Sequence, residues 1–233
     1  MNGGPAVEGD AFPTVDAAAV PERAAAIRAR IEDLAPGRSV RIVAVTKGFG
    51  PDAVEAAVAA DLTAIGENYA QELIAKAAQS AGGDRVRWHF IGAVQRNKVA
   101  QLAPFVAVWE SVDRPAAAEA IARHSPGATA LIEVNLVGDP QRSGCAWEDT
   151  EPVVDAARAA GLTVVGLMGI GPAGAPVPGL FARLAALAAR LGLPECSMGM
   201  SDDFELAVVE GSTMVRLGTA LFGPRPPVRD LRR

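Results

Sequence analysis

Cysteine is scarce in this 233-residue chain. Cys145 and Cys196 are too few for a disulfide framework and do not stand at metal-ligand spacing. Free thiols in a reducing compartment are the default reading. Aromatic residues make up 5% of the chain, with Tyr69 the single tyrosine. Lysine occurs only at positions 47, 76 and 98. Basic charge is not in excess: the net charge of -5 excludes a general nucleic-acid binder, which needs a basic stripe. The opening MNGGPAVEGD lacks the basic and apolar regions of a secretory signal. The charge-free stretch between Arg158 and Arg183 is broken by glycines and prolines, so it reads as a strand and loop rather than a membrane span. These absences predict a cytoplasmic protein with no membrane attachment.

What is present is a large apolar fraction, 50%, beside 21% charged residues, enough to bury a sizeable core. After about a dozen residues without pattern, Val20, Ala24, Ile27, Ile31 and Leu34 recur at helical spacing, and Pro36-Gly37 stops the helix. Eight short apolar or β-branched runs follow, at about 40–46, 62–66, 87–92, 106–112, 129–136, 162–168, 196–200 and 213–222. Ala-rich helical segments separate them, at about 51–60, 68–80, 95–103, 115–124, 147–160, 178–191 and 202–210. Strict β–α alternation requires crossovers and hence a parallel sheet. Eight strands favour a closed (β/α)8 TIM-type barrel with an additional N-terminal helix over an open doubly wound sheet. No Gly-x-Gly-x-x-Gly follows the first strand, which weakens the dinucleotide-binding alternative. No helix is expected after the eighth strand, and the N-terminal helix is expected to fill that position. The expected division is a flexible start over 1–13, one barrel domain over 14–224 and a polar tail over 225–233.

In such barrels chemistry sits at the C-terminal ends of the strands, with phosphate commonly held after strands seven and eight. Lys47 terminates the first strand, RIVAVTK, where desolvation would lower its pKa and expose a nucleophilic amine. The plainer alternative is a strand-end lysine snorkelling to solvent. Lys76 and Lys98 read as solvated helix lysines. Ser201 precedes Asp202-Asp203-Phe204-Glu205 and is expected to cap the following helix. A helix N-terminus there, together with Gly218 and the hydroxyl of Thr219, suits a phosphate dianion. Arg216 lies within an apolar strand and needs a partner: a carboxylate such as Glu67 or Glu133, or a ligand atom. His89, between Trp88 and Phe90, is assigned a structural or supporting role and no chemistry.

At these residues a family resemblance becomes specific. The segments AVTK (44–47), GENYAQE (66–72), WHFIGAVQRNK (88–98), ESVDR (110–114), IEVNL (132–136), GLMGI (166–170), SMGMSDDFE (197–205) and GSTMVRLGTALFG (211–223) occur in order. From about residue 15 to 225 the chain resembles the pyridoxal phosphate homeostasis proteins, relatives of the alanine racemase N-terminal barrel. The resemblance implies pyridoxal 5'-phosphate as cofactor, held as a Schiff base on Lys47. It implies that Ser201, Gly218 and Thr219 bind the phosphate, that Arg216 faces the pyridine nitrogen, and that Asn68 lies close to the ring. It implies a role in vitamin B6 homeostasis with little or no turnover, and apo forms of cofactor-dependent enzymes as candidate partners. Two enzymatic alternatives stand beside it. A two-base racemase needs a second acid/base group, which alanine racemase takes from a separate domain in a dimer; Tyr69, at a helix start, is the only tyrosine here. A Schiff-base aldolase would use a similar lysine and phosphate site. A monomer is expected, because the domain that builds the racemase dimer has no counterpart in the sequence.

Overall fold

The computed structural model describes residues 14–79, 85–172, 174 and 177–224. The expected flexible start (1–13) and polar tail (225–233) lie outside the described residues. Helix α1 (Ala19–Leu34) comes first, with Val20, Ala24, Ile27 and Ile31 buried along one face, as their spacing predicts. The strands are β1 (Arg41–Val45), β2 (Ala64–Glu67), β3 (Arg87–Phe90), β4 (Val106–Val112), β5 (Thr129–Val134), β6 (Thr163–Gly169), β7 (Glu195–Ser197) and β8 (Met214–Leu217). The later helices are α2 (Pro51–Ala59), α3 (Ala70–Gln79), α4 (Val99–Leu102), α5 (Pro115–His124), α6 (Thr150–Ala159), α7 (Leu180–Arg190), α8 (Phe204–Val209) and α9 (Thr219–Phe222). Each strand pairs in parallel with the next, and β8 returns to β1, closing an eight-stranded barrel in chain order. The expected (β/α)8 barrel is the fold observed.

Alternation along the strands divides the core. Ile42 and Ala44 of β1 join the large shell between barrel and helices, whereas Val43 packs with Ala64 and Met214 inside the barrel. Val108, Leu131 and Met168 form a second interior group. The helices start where proline suits the first turn, at Pro51 and Pro115. Helix α1 packs against α2, α8 and α9, closing the gap beside the last strand. Its Arg30 grips Glu205 of α8 with two hydrogen bonds, and Arg23 donates to the Leu221 carbonyl of α9.

Three boundaries differ from expectation. The eighth strand stops at Leu217 and the chain turns into α9, so residues 219–222 are helical rather than extended. Leu221 and Phe222 are buried side by side, a pattern a strand's alternation does not give. The seventh strand is likewise shorter, ending at Ser197 rather than near position 200. The helix expected over 95–103 contracts to Val99–Leu102, with turns before it. Among the described residues no helix is long and apolar enough to cross a membrane.

Candidate functional site

Lys47 lies two residues beyond the end of β1 and is half-buried. The backbone on both sides of it is tied down. The Thr46 amide donates to the Gly66 carbonyl of β2 at 3.1 Å, and the Thr46 carbonyl accepts from Lys76 Nζ at 2.7 Å. The Gly48 amide donates to Glu72 Oε2 at 2.9 Å. Behind this turn, Lys76 Nζ bonds Glu67 Oε1 at 2.5 Å and Glu72 Oε2 at 3.0 Å, while Thr46 Oγ1 donates to Glu67 Oε1 at 2.6 Å. Burial pushes the Glu67 carboxyl above the ordinary range, and the charge and hydrogen bond of Lys76 pull against it. Lys76 is therefore not a solvated helix lysine: its side chain is 1% exposed. It sits on the side of α3 that faces the barrel, opposite the outward-pointing end of β2, where two carboxylates require a cation.

Arg216 of β8 is buried inside the barrel. Its Nη1 donates to the Ser197 carbonyl at 2.6 Å and Ser197 Oγ at 2.7 Å, and its Nη2 donates to the Gly169 carbonyl at 2.9 Å. The guanidinium thus spans the C-terminal ends of β6 and β7. Glu67, expected as one possible partner, is committed to Lys76 instead, because it points out of the barrel while Arg216 points in. The acids whose charges reach Arg216 are Glu110, Glu133 and Asp203. Burial lowers the arginine's pKa, and those three charges oppose the shift. Burial also raises Glu110, but the hydrogen bond and charge of His89, the charge of Arg216 and the Ser197 hydroxyl outweigh it and leave that carboxyl below its ordinary value. Glu133 is held above the ordinary value by burial, against a hydrogen bond from Ser143 and the charge of Arg216.

Ser201 does not cap the helix that follows it. The residue before α8 is Asp203, whose Oδ1 accepts the Met200 amide at 2.6 Å. Ser201 Oγ instead accepts the Ala220 amide of α9 at 3.1 Å. It therefore joins the loop after β7 to the turn after β8 and keeps its own hydroxyl proton for another acceptor. Gly218 is buried and Thr219 exposed at the β8–α9 junction. The register pair Ala44–Leu217 puts Gly218 one step further along, level with Val45 and two residues short of Lys47. Asn68 follows β2, half-buried, with its amide donating to Glu67 Oε2 at 3.3 Å. Gly92 packs directly on it, and a Cβ there would stand 1.9 Å from the Asn68 carbonyl oxygen. The folded chain so brings Lys47, Asn68, Ser201, Arg216, Gly218 and Thr219 to the C-terminal ends of β1, β2, β7 and β8, one mouth of the barrel.

Two groups of polar residues escaped the sequence reading. The first is Glu67–Glu72–Lys76, whose trace was the i, i+4 spacing of Glu72 and Lys76. The second runs through the barrel: His89 Nδ1 lies 2.5 Å from Glu110 Oε1, and Ser197 Oγ donates to Glu110 Oε2 at 2.5 Å. Its signal was one polar residue in each of several otherwise apolar strands.

Fold and site together define a single-barrel protein with a half-buried lysine at the C-terminal mouth, flanked by a buried arginine and a serine-bridged turn. Residues 15–226 match the family model described as alanine racemase, N-terminal domain. The chain is 39% identical to the pyridoxal phosphate homeostasis protein of Pseudomonas aeruginosa, covering 88% of this chain and 96% of that one. It is 41% identical to the protein of the same name from Deinococcus radiodurans, covering 79% and 89%. Among solved structures, PipY of Synechococcus elongatus with PLP bound is 33% identical, with a TM-score of 0.77 over 88% of this chain and 100% of that chain. The same protein without PLP gives a TM-score of 0.79. The chain belongs to the pyridoxal phosphate homeostasis protein family, within the wider alanine racemase N-terminal domain class.

Proposed function

We propose that this protein binds pyridoxal 5'-phosphate as a Schiff base on Lys47 and holds it for intracellular vitamin B6 homeostasis, with little or no turnover. The observation that carries the reading is the placement of Lys47 beside the Gly218–Thr219 turn, in a chain related to a PLP-bound PipY. The donor set suits the group. Ser201 retains a hydroxyl proton, Gly218 has no side chain to crowd an approaching oxygen, and Thr219 adds a hydroxyl. Arg216 contributes a buried positive charge that disfavours protonation of a ring nitrogen placed against it. Asn68 lines the mouth from β2.

When bound, pyridoxal phosphate supplies an aldehyde that condenses with an amine and a ring able to draw electrons from that bond. An arginine at the ring nitrogen makes it a weaker electron sink than an acid partner would, which favours holding over catalysis. The single barrel 14–224 acts as the whole binding unit in this reading, as a monomer in the cytoplasm that hands the cofactor to apo-enzymes.

The purified protein incubated with pyridoxal phosphate is expected to show the visible band of a Schiff base, and Lys47→Ala is expected to lose it. A wild-type protein that stays colourless after incubation sinks the cofactor reading. The α-proton of alanine is expected not to exchange in heavy water; exchange abolished by Tyr69→Phe would establish a racemase instead.

A further inference from the structure

The barrel has a second opening. At its N-terminal end, opposite the mouth that carries Lys47, lies a cavity of about 280 Å³. The first residues of β1 to β4 wall it, together with the connection from α2 to β2 and one side chain of α1. The polar groups on that wall are Arg28, Arg41, Asp61, Thr63, Arg87 and His89. At about 30 Å³ of liquid volume per water, the space equals roughly nine waters. That is room for a small organic molecule and approaches the lower range of ligand sites.

The charge on this wall is one-sided. Three arginines and one aspartate line it, and the acid, Asp61, leans on Arg85 at 3.6 Å. The Arg87 side chain makes no hydrogen bond or ion pair among the described residues, its backbone amide alone donating to the Thr63 carbonyl. Among the described residues the side chain of Arg41 reaches only Glu195, at 3.4 Å. Arg28 spends Nη2 on the carbonyls of Ala60 and Asp61. The second observation comes from within the wall. His89 is only 2% exposed, and its Nδ1 is taken by Glu110 at 2.5 Å. Its Nε2 has no protein partner among the described residues, although the ring lines the cavity. This nitrogen is not among the fully buried polar atoms left without a partner, so it opens onto the cavity, where water or a ligand can meet it. Guanidinium forks at a rim above such a nitrogen match the planar oxygens of carboxylate or phosphate.

We propose that this cavity is a second ligand site that takes a small organic anion, a carboxylate or a phosphate monoester. Arg41 and Arg87 hold the anion at the rim and His89 meets it within. The layer formed by His89, Glu110, Ser197 and Arg216 separates this site from the Lys47 mouth. The proposal does not depend on the cofactor reading.

Isothermal titration of the full chain at low ionic strength, with succinate and with glycerol 3-phosphate, tests it. Saturable one-to-one binding of at least one probe is expected, and the better binder identifies the head group. Arg87→Ala, a change at the exposed rim, is expected to weaken that binding at least tenfold, with Ser201→Ala leaving it unchanged. His89→Phe should weaken it too, and the Arg87 variant decides the matter where that buried change prevents folding. Absence of saturable binding by both probes overturns the proposal. So does an affinity unaltered in Arg87→Ala, or one lost in Ser201→Ala instead, which would place the anion at the other mouth.

Discussion

Ser201 shows how much one side chain does at this site. Its Oγ accepts the Ala220 amide at the start of α9, and in the proposed reading its proton goes to a phosphate oxygen. Ser201→Ala is expected to weaken cofactor binding by about 1.5–3 kcal/mol, the range for a hydrogen bond to a charged group, or roughly ten- to a hundredfold in Kd. A spectrophotometric titration reads this directly, and an unchanged Kd would put the anchor elsewhere. Glu110 carries a different consequence. Its folded pKa lies below the ordinary 4.5, so its contribution to stability is present above that pH and is lost as pH falls through the folded value. Glu133 and Glu67 are shifted the other way, so their contribution is present at acid pH and lost as pH rises through their folded values. Glu110→Gln is therefore expected to flatten the fall in Tm below about pH 4.5, at some cost in stability at neutral pH. A Tm series from pH 6 to pH 3 on both proteins checks the sign. Lys47 as a candidate was legible from its scarcity and its place after an apolar strand. The role of Lys76 was not, because helix periodicity does not say which carboxylates the neighbouring strand will turn outward.

Strands and helices were legible as elements, and the barrel's regular β–α alternation came from hydrophobic spacing alone. The exceptions are local. The run after Leu217 has strand-like composition, yet it coils into α9, where Ser201, nineteen residues before Ala220 in the chain, supplies an acceptor for the Ala220 amide. No window around residue 218 contains that information. The loops after β2 and β3 show the same dependence on a distant partner. Gly92 lies against the Asn68 carbonyl and its own carbonyl accepts the Ser111 hydroxyl, so three elements meet without room for a side chain. Gly92→Ala must push the Asn68 segment aside, with an expected loss of about 1–3 kcal/mol, typical of overpacking. Chemical denaturation measures that loss. Weaker cofactor binding in the same variant would show that the displaced segment includes the Asn68 contact.

Across the whole molecule, binding and stability are one equilibrium. A ligand that binds only the folded barrel stabilises it by RT ln(1 + [L]/Kd), about 2.7 kcal/mol at a hundredfold excess over Kd. Pyridoxal phosphate is expected to raise the Tm of the wild-type protein in proportion to the logarithm of its concentration. Lys47→Ala should lose most of that rise. An equal shift in both proteins would mean that the phosphate contacts, not the lysine, carry the affinity. The eight strands and their order, the parallel barrel, the position of α1 and the positions of the candidate site residues follow from the sequence alone, whereas α9, where no helix was expected, does not. Hydrophobic period and strand-end placement are local properties, and they survive without knowledge of neighbours. Only the tertiary structure decided which polar side chains meet: Lys76 with Glu67 and Glu72 behind Lys47, Ser201 with α9, and His89, Glu110, Ser197 and Arg216 inside the barrel. Those partnerships join residues up to 87 positions apart, as in Ser197 with Glu110. They are set by barrel closure and by which face of each strand turns inward, so they exist only once the chain is folded.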